Sequence, residues 1–448
     1  MSRTDSANGR GRLAMLVCAA ILLVGCRSTR PSFHDARLAY VAGDLNAASE
    51  TFQALSEGRR SSRRVAELDL AMVELARGQS AAAERRLREL RDHFDTVPSG
   101  ASLDDAASLA LDDNVRGFGL AGYEQVLLRS ILAACSLAGD GTDAEAYCLQ
   151  ARDRQQELNR LAEEKPSPAG FQPVALAPYL HGTLREATHQ NYDDAERAFR
   201  LVSSIRPDFL PGTDDIARAQ TGNHSREGHG VLYVVSFVGR GPRLVEEVAE
   251  TTTASLQIAS TILRTVRNHN NDEDDEPVLP NVASVKIPVV EVPPSPIAAV
   301  GVAVNGQVLG ATQTLTDIGD LATQRSEAQL PWTIARAVAR RVLKESSVSA
   351  TSNALGLTGN AASLFEFASV NAWSATERAD TRCWGTLPRE IQVLRAELPA
   401  GDHELAVSPF SPSGQVFAPP TACQIRIEDG RNQYVLVIAP ESIVSVLN

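Results

Sequence analysis

A four-position spacing recurs through the first half of this chain: a small residue, alanine five positions on, a large apolar residue four further, and a small or apolar one after three more. Gly43, Ala48, Phe52 and Leu55 make the first copy, and Gly78, Ala83, Leu87 and Leu90 repeat it 35 residues later. Gly139, Ala144, Cys148 and Ala151 form a third copy. Gln190, Ala195, Phe199 and Val202 form a fourth, closed by Pro207. Small residues at these places let two helices of a pair approach, and the large one fills the gap to the next pair. From about residue 33 to 207 the pattern therefore predicts stacked helix–turn–helix units.

The 35-residue step is close to the tetratricopeptide period. The polar insert from His93 to Gly122 separates the second and third copies. Lys165-Pro166-Ser167-Pro168, with Pro173 and Pro178 beyond, breaks any helix between the third and fourth. Arg59, Arg60, Arg63, Arg64, Arg85, Arg86, Arg88 and Arg91 cluster across the second copy. Such a cluster can clamp an acidic partner, since guanidinium pairs bidentately with carboxylate, and Arg63 and Arg64 are the first choice of contact residues. It can equally be a solvated face balanced by Glu67, Glu84 and Glu89.

After Gly222 the character changes. Gly230 to Val238 is rich in β-branched and aromatic residues and reads as a strand stopped by Gly239-Arg240-Gly241-Pro242. Leu244 to Val266 reads as a helix. Ala283 to Val292 reads as a strand, followed by Pro293-Pro294-Ser295-Pro296. Val300–Val304 and Gln307–Thr312 flank Asn305-Gly306, a strong hairpin signal. Helices are expected at Asp317–Glu327, at Pro331–Glu345 and at about Asn360–Thr376. Strands return at Ile391–Leu398, His403–Val407, Ala422–Glu428 and Gln433–Ile438. Strands on both sides of a helical block imply an α+β domain whose helices pack on a mainly antiparallel sheet. The expected layout is multidomain: residues 1–25 a lipoprotein signal peptide, 26–222 an all-α tetratricopeptide-like repeat, and 228–448 an α+β domain.

The signal reading rests on Leu23-Val24-Gly25-Cys26, at the end of an apolar run from Leu13 that follows Arg3, Arg10 and Arg12. A basic flank, a short apolar core, a small residue and a cysteine in this order read as a lipobox, with Cys26 the lipidated first residue of the mature chain. The run is too short to be a good spanning helix.

Without residues 1–25 the chain keeps 40 basic against 54 acidic side chains, a net −14. Phosphate binding along a nucleic acid needs a basic face, so that balance argues against nucleic acid as a partner. Outside the cytoplasm, Cys135, Cys148, Cys383 and Cys423 permit two disulfides, Cys135–Cys148 and Cys383–Cys423 being the pairs that respect the domain layout. None forms a CxxC. His224 and His229 lie five apart in a Gly-rich linker, and His181 and His189 could share a helical face, without accompanying carboxylates. The acidic run Asp272 to Glu276 lacks the spaced ligands of an EF-hand. Gly239-Arg240-Gly241 lacks the third glycine of a dinucleotide loop, and no GxSxG or HExxH occurs. The expectation is a protein with no catalytic residues, no metal and no cofactor.

The lipobox at Cys26, Tyr123-Glu124-Gln125-Val126-Leu127, the strands at Gly228–Phe237 and Lys286–Pro296, and above all Ala379-Asp380-Thr381-Arg382-Cys383-Trp384-Gly385-Thr386-Leu387-Pro388 followed by Leu398-Pro399-Ala400-Gly401-Asp402-His403 carry a resemblance. With them the chain resembles a family of uncharacterised bacterial tetratricopeptide-repeat-type envelope lipoproteins. The resemblance covers nearly the whole mature chain. It implies an envelope location and the two-part layout, and brings no reaction. As a class, bacterial lipoproteins carry several acyl chains, which implies a firm anchor. Arg27, in place of the aspartate that retains enteric lipoproteins, leans toward the periplasmic face of the outer membrane. Asp380, Arg382 and Trp384 share one stretch of extended chain. They read either as a recognition patch built on Arg382 and Trp384 or as an ion pair fixing a junction under a core tryptophan.

Two functions follow as expectations. One is a lipid-anchored scaffold whose repeats bind envelope proteins. The other is a binder of envelope polymer, peptidoglycan or another glycan, through the α+β domain.

Overall fold

The computed structural model describes residues 31–96, 118–164, 172–269, 284–354 and 378–448. The lipobox with Cys26, the prolines 166 and 168, the acidic run 272–276 and the helix expected at 360–376 lie outside them.

Nine helices precede the first strand among the described residues: α1 (Phe33–Val41), α2 (Leu45–Ser56), α3 (Arg60–Ala76), α4 (Ser80–Thr96), α5 (Gly122–Leu137), α6 (Ala144–Glu164), α7 (Leu176–Glu186), α8 (Tyr192–Ile205) and α9 (Pro211–Thr221). Each packs on the next in sequence. The spaced positions face inward as expected: Ala48, Phe52, Ala83, Leu87, Ala144, Cys148, Ala195 and Phe199 are all buried. The tight turns after α1 and α3 put Gly43 and Gly78 at φ +80° and +75°, where a side chain would be strained. The later turns are longer, and their left-handed residues are Gly141 and His189 instead of the expected Gly139 and Gln190.

The helices alternate in role. On α2 and α4 an apolar stripe is buried, whereas α3 is buried on all sides from Val65 to Ala76 and α5 from Tyr123 to Ser136, Glu124 apart. The reason lies in the second half of the chain. A five-stranded sheet covers α3, α5 and α7, so these helices have neighbours in front and behind.

That sheet runs in the order β11 (Ser445–Leu447), β10 (Asn432–Ala439), β1 (His229–Arg240), β7 (Pro388–Pro399), β6 (Gln313–Asp317). β1 pairs parallel with β10 and antiparallel with β7. It is buried from Val231 to Gly239 without interruption, because both faces are covered. Val231, Tyr233, Val235 and Phe237 join the helical core, while Leu232, Val234 and Val238 point to a second sheet. The second sheet is β5 (Gln307–Ala311), β4 (Ala299–Val304), β8 (Gly401–Phe410), β9 (Thr421–Ile427). Its Val300, Val302, Leu405, Val407, Ile425 and Ile427 close the opposite core. The body is thus three layers: helices, a mixed five-stranded sheet, and an antiparallel four-stranded sheet.

Four expectations change. The helices that cover the main sheet belong to the first half of the chain, and one apolar core runs through both halves. The expected single sheet is more than one: β7 and β8 lie in different sheets, as do β9 and β10, and at Ala400 and at Asp429–Arg431 the chain crosses from one to the other. The stretch from Leu244 begins as strand β2 (Arg243–Glu250), paired with β3 (Ser284–Glu291), before α10 (Thr253–His269) starts. Lastly, the two helices expected on either side of Pro331 are a single helix, α11 (Ile318–Ala354), with the proline inside it. The hairpin at Asn305-Gly306 forms as expected, both residues at positive φ.

The β2–β3 ribbon, α10 and the later part of α11 build a separate apolar cluster of Ala259, Ile262, Leu263, Val285, Ile287, Ile334, Val338 and Val342 with neighbouring alanines. No described helix is long and apolar enough to cross a membrane.

Candidate functional site

The segment Ala379–Pro388, which carried the resemblance, lies at the junction of the layers. It runs along α1 and α3 and turns at Gly385-Thr386 before β7 begins. At its centre is Asp69, on an otherwise apolar turn of α3 and 0 % exposed. One carboxylate oxygen accepts from Arg37 Nε at 2.9 Å and Nη2 at 2.8 Å; the other accepts from the Thr386 amide at 3.0 Å and its hydroxyl at 2.9 Å. Arg37 also donates to the Cys383 carbonyl at 2.7 Å. Burial pushes the Asp69 carboxyl up, against the pull of Arg37 and the two Thr386 bonds downward. Gly385 is required here. A Cβ on it would fall 2.1 Å from the Arg37 guanidinium, which lies flat over that backbone.

Arg382 makes a fork to Asp380 at 2.8 and 2.6 Å and donates to the Ser61 carbonyl at the start of α3. Trp384 is only 1 % exposed. A recognition patch on Arg382 and Trp384 is therefore not what this segment presents: the indole is closed to a partner and the guanidinium is engaged with its own chain.

Arg63 and Arg64 both pair with Glu67, at 3.0 and 2.7 Å along one face of α3, and Arg63 is 58 % exposed. Arg86 makes two bonds to Glu74, and Arg88 and Arg91 pair with Glu84 and Asp92. Much of the cluster is thus a charge-balanced surface.

The four cysteines are free thiols, so neither expected disulfide forms. Cys135 on α5 and Cys148 on α6 are buried, and burial pushes both thiols up. Cys383 belongs to the junction and Cys423 to β9 of the outer sheet, which explains why that pair is not made.

Further along the same interface lies a polar network that the sequence reading missed. Glu186 at the end of α7 takes two bonds from Arg218 of α9, at 2.6 and 3.0 Å, and one from the Tyr233 hydroxyl at 3.4 Å. Arg395 of β7 donates to Tyr233 and to the His224 carbonyl. His224 contacts the Asn432 side chain at 2.7 Å and stacks edge-on to His189, with ring centroids 4.8 Å apart. Asp69 had one available signal, an acid placed among apolar neighbours on a helix; Glu186, next to Arg185 and close to Thr183 and Thr188, had none. His181 and His189 do not share a helical face: His189 sits in the turn beyond α7. Among the described residues no group of three or more His, Cys, Asp or Glu side chains could hold a metal.

Two concavities open from this framework. One, of ≈ 340 Å³, lies between α6, α7 and α8, walled by Leu149, Ala177, Pro178, Leu201 and Ile205, with Arg152, Asp194 and Arg197 around it. Leu201 is 44 % exposed there. His181 at its side is shifted down by burial, outweighing Glu145. The other, of ≈ 300 Å³, lies beside the junction, where the N-terminal end of α1 meets the β1–β2 turn. No protein-family model, no curated protein and no solved structure matches this chain.

Proposed function

We propose that this is a bacterial envelope protein, lipid-anchored at Cys26, whose tetratricopeptide-like helical half holds an envelope protein partner. The observation that carries this reading is the apolar groove between α6, α7 and α8. Stacked helix pairs offer a concave surface of this kind to an apolar segment of a partner. Leu201, a large apolar side chain left 44 % exposed in that groove, is the contact expected to anchor such a segment. Arg152, Asp194 and Arg197 supply the polar rim that sets orientation. Arg63 and Arg64, paired with Glu67 on α3, do not line this groove.

The test is a photo-crosslinking residue placed at position 201 in cells, with position 308 on the exposed edge strand β5 as control. A discrete protein adduct at 201 and none at 308 is expected. Glycan adducts in place of protein would give the function to polymer binding, and equal labelling at both positions would end the reading.

A further inference from the structure

The second concavity is lined by arginines whose carboxylate partners stand behind its wall. Arg37, Arg240, Arg243, Arg382 and His34 line it, and no aspartate or glutamate does. Their partners Asp69, Glu441, Glu291 and Asp380 stand outside the wall. Two of these arginines are fixed: Arg37 and Arg382 are tied into the junction. The other two are held lightly. Arg243 pairs with Glu291 at the surface, with both side chains more than 40 % exposed, a type of pair that contributes little. Arg240 pairs with Glu441 through Nε at 2.8 Å, with both side chains about a third exposed, so an incoming anion can compete with that carboxylate. Apolar groups complete the wall, among them Phe33, Leu38 and Leu244.

The cleft also has a fixed relation to the anchor. Phe33 and His34 are wall residues, and Phe33 is the seventh residue after Cys26. Seven residues span at most about 25 Å when fully extended, so a lipid on Cys26 keeps this cleft within reach of the headgroup layer. An anionic membrane surface repels a body of net charge −14 except where a basic patch faces it.

We infer that this cleft binds a phosphate ester with an apolar body, and that its source is an anionic phospholipid headgroup in the membrane that carries the anchor. Arg240 and Arg243 turn from their surface carboxylates to the phosphate oxygens, Arg37 and Arg382, held by Asp69 and Asp380, give the cleft a fixed wall, and Phe33, Leu38 and Leu244 take the glycerol and acyl stubs. This orients the tethered body, with the α1 end of the junction toward the bilayer. The placement rests on lipidation of Cys26; the phosphate site itself does not.

The test uses the chain from residue 27, which contains every described residue and carries no lipid. It is sedimented with vesicles of phosphatidylglycerol or of phosphatidylcholine, and titrated in solution with glycerol 3-phosphate. Binding to phosphatidylglycerol vesicles alone is expected. Arg240→Glu with Arg243→Glu should lower that binding by roughly tenfold or more, because each basic side chain at an anionic surface adds to attraction. Arg200→Glu with Arg426→Glu, the same charge change at two exposed ion pairs outside the cleft, should leave it unchanged. Glycerol 3-phosphate bound at the cleft without vesicle binding would overturn the membrane source and keep the phosphate site. Failure of both ligands, or equal effects of the two double variants, would overturn the inference. Membrane fractionation of full-length Cys26→Ser reports separately on the anchor.

Discussion

The two apolar clusters that involve helices differ in how they are built. The junction core draws on α1 to α9 and on β1, β6, β7 and β10, elements from one end of the chain to the other. The outlying cluster draws only on α10, the later part of α11, and the β2–β3 ribbon. Helix α11 joins the two. Ile318 and Ala322 belong to the first core and Ile334 to Val342 to the second, and no residue from Thr323 to Thr333 is fully buried. Pro331 sits in this span, where it removes a helical hydrogen bond. The junction core therefore gains or loses order as a whole, whereas the outlying arm can open locally, at a free energy set by its own few contacts.

Breaking the ion pair at the junction should have the largest effect. Asp69→Ala leaves the half-buried Arg37 without its carboxylate and strips the buried Thr386 of its acceptor, a loss of about 3 kcal/mol. Helical circular dichroism and Trp384 burial should be lost in one transition at lower denaturant. Two separate transitions would mean that the halves fold apart after all. Cutting the arm should reach less far. Ile334→Ala removes about 3 kcal/mol of packing. Amide exchange should speed up in β2, β3 and α10 while β1 stays protected. If β1 exchanges faster as well, the arm is coupled to the body more tightly than its separate cluster implies.

Acid sharpens the contrast by the smallest amount. His224 is buried at the junction, and burial shifts its imidazole below its ordinary value; His189, Glu186 and Arg395 face it. A group held neutral in the fold takes up its proton more readily when unfolded. Stability is thus complete above about pH 6.5, the unfolded value, and falls as pH drops toward the folded value. The urea midpoint should be lower at pH 5.5 than at pH 7.5. His224→Gln should flatten that difference, and an unchanged slope would assign it to other groups.

Helix positions in the first half were legible because the small and large residues recur at fixed spacing, and Ala48, Phe52, Ala83 and Leu87 are buried as that spacing requires. Most strands were legible from alternation and from Asn305-Gly306. The pairing of layers was not. In β1 every residue from Val231 to Val238 but Ser236 is apolar, which tells of cover on both faces but not of which elements provide it. β2 was mistaken for helix because Arg243–Glu250 mixes charges with short apolar residues and owes its form to pairing with β3. At the candidate sites, Arg382 and Trp384 were found as a motif but not their burial, because the partner groups, Ser61, Asp69 and Arg37, lie more than 300 residues away.

The strands after residue 430 have a bearing on how the fold closes. Val444 and Leu447 reach back to the turns at Gly43 and Gly78, and β10 is the parallel neighbour of β1. The turns after α1 and α3 thus gain these neighbours only through contacts of about 400 residues' separation. Pairings this distant in sequence form late, and until they do one edge of β1 stands unpaired. Closing this seam is then the step that commits the fold, and a chain truncated before Asn432 should leave one edge of β1 open to chaperones.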